Sequence, residues 1–141
     1  MRFTRYTDYA IRVLIHLGTN ADELCSIADI AHAYDISQNH LRKIAQDLAA
    51  SGFVEAVRGR NGGLRLGRPT KDINLGALVR HTEIGLVLVD CENCAIRSAC
   101  TLPSILAEAV CAFLAVLDRY TLEDLLKNRS PLHAILWPSA A

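Results

Sequence analysis

The segment from Ser26 to Leu66 constrains the fold more than any other, because it sets two helical patterns, a two-residue connection and a short hairpin in immediate succession. Ser26 is a good helix cap, Asp29 stands at the third helical position as in a capping box, and Ile27, Ile30 and Ala31 carry a short helix to about Tyr34. Asp35 and Ile36 then leave room only for a tight connection. Ser37 caps a third helix with Leu41, Ile44, Ala45 and Leu48 on one face and Gln38, Asn39, Arg42 and Lys43 on the other, stopping at Ser51-Gly52. Alone, this helix-turn-helix pattern fits any amphipathic helical pair. The next residues narrow it: Phe53 to Arg58 reads as a strand, Arg60-Asn61-Gly62-Gly63 as a tight turn, and Leu64-Arg65-Leu66 as the returning strand. A hairpin directly after a recognition-type helix is a wing, although an ordinary solvated hairpin has the same local pattern. The expected class is mainly α, a winged helix-turn-helix with a two-stranded wing.

The rest of the chain can be placed around that unit. Thr7 to Gly18 predicts a first helix, with Thr7 as cap, Asp8 in the first turn and Ala10, Val13, Leu14 and Leu17 at helical spacing. Asn74 to His81 predicts another, and the apolar run Ile84 to Val89 leads into a cysteine-rich loop. Beyond it, Leu102, Ile105, Leu106, Ala109, Val110, Phe113, Leu114 and Leu117 trace an apolar stripe of about four turns, with Pro103 tolerable at its start. So long a face exceeds what the small winged unit can cover, and pairing with a second copy across a two-fold axis is its expected use. Cys111, inside this helix, and Cys25, before a helix cap, fit buried small hydrophobes. Thr121 caps a last short helix, Leu122 to Leu126, and the tail from Ser130, with Leu132, Ile135 and Trp137, packs back or stays free. The expected organisation is a DNA-binding domain over 1–82, a cysteine loop over 83–101, and a dimerisation helix with its tail over 102–141.

A formal charge of zero speaks against nucleic acid until it is counted by region. From Ser37 to Lys71 there are seven basic residues (Arg42, Lys43, Arg58, Arg60, Arg65, Arg68, Lys71) against Asp47 and Glu55, whereas from Thr82 onward four basic residues face seven acidic ones. The positive part is compact enough for a phosphate-facing patch. An apolar content of 51% over 141 residues suffices for a packed core. Five cysteines, an odd number, and no N-terminal apolar signal run predict a reducing cytoplasm, and no run is long enough for a membrane span.

Cys91, Cys94 and Cys100, spaced C-x2-C-x5-C, can bring three thiolates to one point, because a short irregular loop reverses direction easily. Thiolates so gathered hold a soft metal or an iron-sulfur cluster. A structural zinc site needs a fourth ligand nearby, and His133, the nearest downstream histidine, lies beyond the long helix. A Cys-x-x-Cys pair can also form a disulfide, so a thiol switch stays open.

Five separated motifs carry a family likeness: Arg-Phe-Thr-Arg-Tyr-Thr-Asp-Tyr-Ala-Ile-Arg at the start, Ser-Gln-Asn-His-Leu-Arg-Lys in the third helix, Val-Arg-Gly-Arg-Asn-Gly-Gly-Leu-Arg-Leu-Gly in the wing, the cysteine loop, and Leu-Asp-Arg-Tyr-Thr-Leu-Glu-Asp-Leu near the end. In that order they resemble the bacterial iron-sulfur winged-helix regulators that include NsrR, IscR and RirA, nearest to the nitric-oxide-sensing repressors among them. The resemblance implies a homodimer that binds a palindromic DNA operator while its cluster is intact, and no enzyme. It implies Cys91, Cys94 and Cys100 as cluster ligands, a 4Fe-4S rather than a 2Fe-2S cluster, and Asp8 from the other subunit as fourth ligand. By its residue type and position alone, Asp8 serves equally well as a charge complementing the helix dipole. The two-residue first gap is shorter than the five usual among the nitric-oxide sensors, yet a C-x2-C pair still fits neighbouring irons of a cubane. The resemblance also implies that Ser37, Gln38, Asn39, His40, Arg42 and Lys43 enter the major groove and Arg58, Arg60, Asn61, Gly62 and Gly63 the minor groove. The residue types agree, since Gln and Asn can read adenine edges and Arg a guanine or a phosphate. Nitric oxide is the expected signal. The alternatives are an iron-status or cluster-status regulator of the same family, a thiol-disulfide enzyme using Cys91 and Cys94, and a zinc-stabilised interaction module.

Overall fold

A computed structural model describes residues 1–138. Helix α1 runs from Arg5 to Thr19 and is capped by Thr4, whose Oγ1 accepts the Thr7 N–H at 3.3 Å. The helix starts two residues before the expected Thr7, because Thr4 rather than Thr7 supplies the cap. Thr7, expected as the cap, is buried instead and donates its hydroxyl to Thr82 at 2.9 Å. Helix α2, Ile27–Tyr34, is capped by Ser26, whose Oγ accepts the Asp29 N–H at 3.1 Å. Asp35 ends it in the left-handed region (φ 53°), which lets helix α3, Gln38–Ala50, leave at once in a new direction.

Strands β1, Val54–Val57, and β2, Gly63–Leu66, pair antiparallel from Val54 opposite Leu66 to Val57 opposite Gly63. Cys25 adds an edge to this ribbon: its N–H donates to Leu64 O at 3.0 Å and its carbonyl accepts from Leu64 N–H at 2.8 Å. Its side chain is buried, as expected, and burial pushes its thiol pKa up to about 12. Leu14, Leu17, Ile30, Leu41, Leu48, Ile73 and Leu78 close the core between α1, α2 and α3, each worth about 1.5–3 kcal/mol of removal from water.

After a 3-10 turn at Thr70–Asp72 comes α4, Leu75–Thr82, capped by Asn74, which accepts the Ala77 N–H at 2.9 Å. Helix α5 spans Leu102–Leu117, α6 Leu122–Leu125 and α7 Arg129–Leu136. The capping box at Thr121 forms with Asp124, and Leu122 N–H donates to Ile73 O at 2.8 Å, so the chain returns to the winged unit after α5. Leu126 packs so close to α1 that a Cβ on Gly18 would lie 2.6 Å from its Cδ1. The tail docks too. Trp137 donates Nε1–H to Thr19 Oγ1 at 3.0 Å and lays its ring 4.9 Å from His16, while Leu132 and Leu136 pack inward and Ile135 faces solvent.

Helix α5 is the exception to this closure, for none of its residues is buried. The single stripe read from the sequence divides in two. Leu106, Val110, Phe113, Leu114 and Leu117 are half-buried, and Phe3 packs against Phe113 with ring centroids 6.0 Å apart. Leu102, Ile105 and Ala109 of that stripe stand exposed, and Ala112 and Val116, which the stripe did not include, continue them at alternating steps of three and four. Cys111, expected to be buried, is exposed as well, because the chain does not cover this helix by itself. No helix among the described residues is long and apolar enough to cross a membrane.

Candidate nucleic-acid interface and metal centre

Burial of Leu41, Ile44, Ala45 and Leu48 under α3 fixes which residues face outward: Gln38, Asn39, His40, Arg42 and Lys43 are exposed, and so is Ser37 before them. Arg42 reaches back to Asn39 Oδ1 at 3.2 Å and Gln38 Oε1 at 3.3 Å, so three polar side chains are already oriented together at the helix N-terminus. Ser37 begins the helix without a side-chain cap bond. The His40 ring lies 6.5 Å from that of Tyr9 on α1.

At the wing, Arg58, Arg60 and Asn61 are exposed, and Gly59 at φ 110° makes the bend that presents them. Gly62 and Gly63 are half-buried and required by close approach: a Cβ on Gly62 would meet Val57 O at 2.0 Å, and one on Gly63 would meet Cys25 O at 2.9 Å. Three of the seven cations counted from the sequence have partners of their own: Arg42, on Asn39 and Gln38, and two more. Arg65 sits opposite Glu55 in the ribbon and grips its carboxylate at 2.9 and 3.0 Å, holding that carboxyl below its usual range. Arg68 lies 4.7 Å over the Phe53 ring and donates to Ser51 O at 3.1 Å. Lys43, Arg58, Arg60 and Lys71 have no carboxylate within ion-pair distance among the described residues, so their field is uncompensated.

Asp47, the acidic residue of α3, is withdrawn from that surface. Its carboxylate accepts the Tyr6 hydroxyl of α1 and pairs with His81 Nε2 of α4 at 2.8 Å. Burial pushes the Asp47 pKa up, but the bonds from Tyr6 and His81 outweigh it and hold the group below its usual value; Tyr6 is shifted upward by burial and by Asp47. The same end of α4 carries the buried Thr82–Thr7 bond and Glu83, whose Oε1 accepts from Thr4 N–H at 2.6 Å and Thr4 Oγ1–H at 2.9 Å. Burial raises the Glu83 pKa, and hydrogen bonds from Thr7 and Thr4 more than reverse this. The helix leading into the cysteine loop is thus tied to α3. Tyr6, Asp47 and His81 escaped the sequence reading because they are 41 and 34 residues apart, with no motif to join them.

The loop from Ile84 to Thr101 has no regular structure, only tight turns: Cys94 N–H donates to Cys91 O at 3.4 Å, Arg97 N–H to Cys94 O at 3.2 Å, and Ala99 N–H to Ile96 O at 3.0 Å. Cys91 and Cys100 are half-buried, Cys94 is exposed, and none is in a disulfide. An apolar cavity of about 530 Å³, lined by Leu86, Leu88, Pro103, Leu106 and Val110 among others, opens beside Cys91. Among the described residues no three candidate ligands are gathered around one point within a single chain. Asp8 is held elsewhere, with both carboxylate oxygens on the Arg12 guanidinium at 3.0 Å. Three free thiols on one irregular loop fit a soft-metal cluster by donor chemistry.

Residues 3–128 match a family model, Rrf2, described as an iron-dependent transcriptional regulator. The HTH-type transcriptional regulator NsrR of Bacillus licheniformis is 46% identical over 142 residues, covering 96% of this chain and 99% of that protein. NsrR of Bacillus subtilis is likewise 46% identical, covering 96% and 97%. Among solved structures, T. potens IscR superposes with a TM-score of 0.74 at 26% identity, over 91% of this chain and 88% of the other. CymR, the global cysteine regulator of B. subtilis, superposes with a TM-score of 0.69 at 27% identity, over 89% and 95%.

Proposed function

As the chain belongs to the Rrf2 family of iron-dependent transcriptional regulators, we propose that it is a homodimeric repressor whose hold on a palindromic operator is set by an iron-sulfur cluster and released by nitric oxide. The observation that carries this reading is the tie between α4 and α3. His81 holds Asp47 three residues before the irregular loop begins, so ordering or loosening that loop bears on the helix that faces the groove. Cys91, Cys94 and Cys100 are the residues to hold the cluster, with Asp8 of a second copy as fourth ligand. The bound cluster supplies irons open to attack by nitric oxide, with a more exchangeable bond at the oxygen ligand than at the thiolates. Arg12, which holds Asp8 and lies 5.9 and 5.8 Å from the rings of Tyr9 and Tyr34, must release Asp8 for that role. Gln38, Asn39 and Arg42 then meet base edges in the major groove while Arg58 and Arg60 reach the minor groove from the wing. Two such units engage one operator only when their reading helices stand about 34 Å apart. The loop's order fixes that spacing, and its release lifts repression.

The thiol-disulfide enzyme is set aside, since the relatives are named transcriptional regulators. The family's description as iron-dependent favours one second reading, in which iron status is the signal. Cys94→Ala, purified without oxygen, is expected to lose both the visible absorbance and the preference for a palindromic duplex selected with the wild type. Undiminished preference in the colourless variant refutes the coupling. Release by nitric oxide but not by an iron chelator separates the two signals.

A further inference from the structure

We propose that Arg2 and Arg5 form a site for DNA backbone phosphate that extends the interface from α3 onto the start of α1. This rests on the regulator reading and deepens it. Arg5, Asp8, Tyr9 and Arg12 share one face of α1, standing at i, i+3, i+4 and i+7. That face is turned toward the reading helix, since Tyr9 abuts His40. It lines an open cavity of about 460 Å³ together with Arg2 and with Asp35 and Ile36, the two residues of the turn that precede Ser37. With Asp8 held by Arg12 the cavity keeps two exposed arginines against the carboxylate of Asp35, and once Asp8 turns to the second copy's cluster Arg12 adds a third cation, so the cavity is positive in both states. Among the described residues neither Arg2 nor Arg5 has a carboxylate within ion-pair distance.

The arginines are not on a loose end. Thr4, between them, is anchored to Glu83 at 2.6 and 2.9 Å, and Phe3 rests on Phe113 of α5. A planar guanidinium presents paired donors that match a phosphate, and the first turn of a helix adds a favourable dipole. In a helix-turn-helix the first helix crosses the backbone while the N-terminus of the second enters the groove, so a cation pair beside the turn that joins them meets phosphate rather than base edges.

The test is the salt dependence of binding to a labelled mixed-sequence duplex of about three helical turns, followed by fluorescence anisotropy. Each released counterion contributes about 0.9 to the slope of log K against log salt. Arg2→Gln and Arg5→Gln are each expected to make the slope shallower by about 0.9, and the double variant by about twice that. Preference for a palindromic duplex selected with the wild type over the mixed duplex should stay unchanged. Arg129 lines a cavity with Thr19, which stands at the opposite end of α1, about 20 Å from Arg5 by helix rise, and Arg129→Gln should keep the wild-type slope. A double variant with the wild-type slope overturns the site. So does an Arg129→Gln effect equal to that of Arg5→Gln, which reduces the finding to overall charge, or a loss of sequence preference at constant slope. A wild type that binds no duplex sinks the regulator reading itself, and is told apart from these outcomes by the wild-type titration alone.

Discussion

Among the described residues, Asp35 is the one non-glycine residue with a positive φ, and it sits where α2 must end so that α3 can begin. Short polar side chains tolerate this conformation and β-branched ones do not, so Asp35→Gly should keep the fold at equal or slightly higher stability. Asp35→Val should cost about 1–2 kcal/mol in thermal denaturation. Equal melting temperatures for the two variants would contradict the assigned geometry. Asp47 is the second residue whose role is specific. Asp47→Asn weakens the bonds from Tyr6 and His81, and a loss of about 1 kcal/mol follows for charged hydrogen bonds discounted for partial exposure. Its operator affinity should fall further than its stability accounts for, measured well below the melting transition. Proportionate loss would make Asp47 structural only. Neither role was legible from spacing: a left-handed backbone and a contact across 41 residues are properties of the packed chain.

At the scale of elements, periodicity placed α2, α3, the wing and α4 to within a residue or two, because each buries one face against the others. What it missed are pairings between elements. Cys25 joins the ribbon only when α2 has packed, and the Arg65–Glu55 pair exists only in the observed register, so a charge count overstated the free cations of the wing. The same count began at Ser37 and passed over Arg2 and Arg5. Helix α7 is an element with a testable condition for docking. His16, beneath Trp137 and beside Tyr34, is buried with neither ring nitrogen hydrogen-bonded among the described residues. Burial lowers its pKa, with Asp29 opposing, and the folded state therefore disfavours the charged ring. The unfolded chain binds the extra proton first, so stability is full above about 6.5 and declines as pH falls toward the lowered folded value. Thermal denaturation of the wild type should show this decline, and His16→Leu should flatten it. An unchanged slope in His16→Leu would assign the decline to other groups.

For the whole molecule, the decisive feature is a helix that the chain leaves half uncovered. Leu102, Ile105, Ala109, Ala112 and Val116 keep the three-four spacing of a helix-pairing seam, with Leu102 46% and Ile105 57% exposed. In the proposed dimer a second copy covers them, and Ile105→Glu should then shift the species in sedimentation equilibrium from dimer to monomer while leaving the far-ultraviolet helical signal intact. A variant that stays dimeric would place the subunit contact elsewhere. The sequence showed this face as one broad stripe; only the packed chain shows that Phe113 and its neighbours are used internally and the seam is not. In the proposed regulator the thiol loop and the reading helices act as one unit. This is tested most directly by titrating anaerobic wild-type protein, bound to its selected duplex, with nitric oxide while recording visible absorbance and anisotropy on the same sample. Operator release is expected to follow the bleaching of the cluster step for step. Full bleaching with the duplex still held at its original affinity would contradict it.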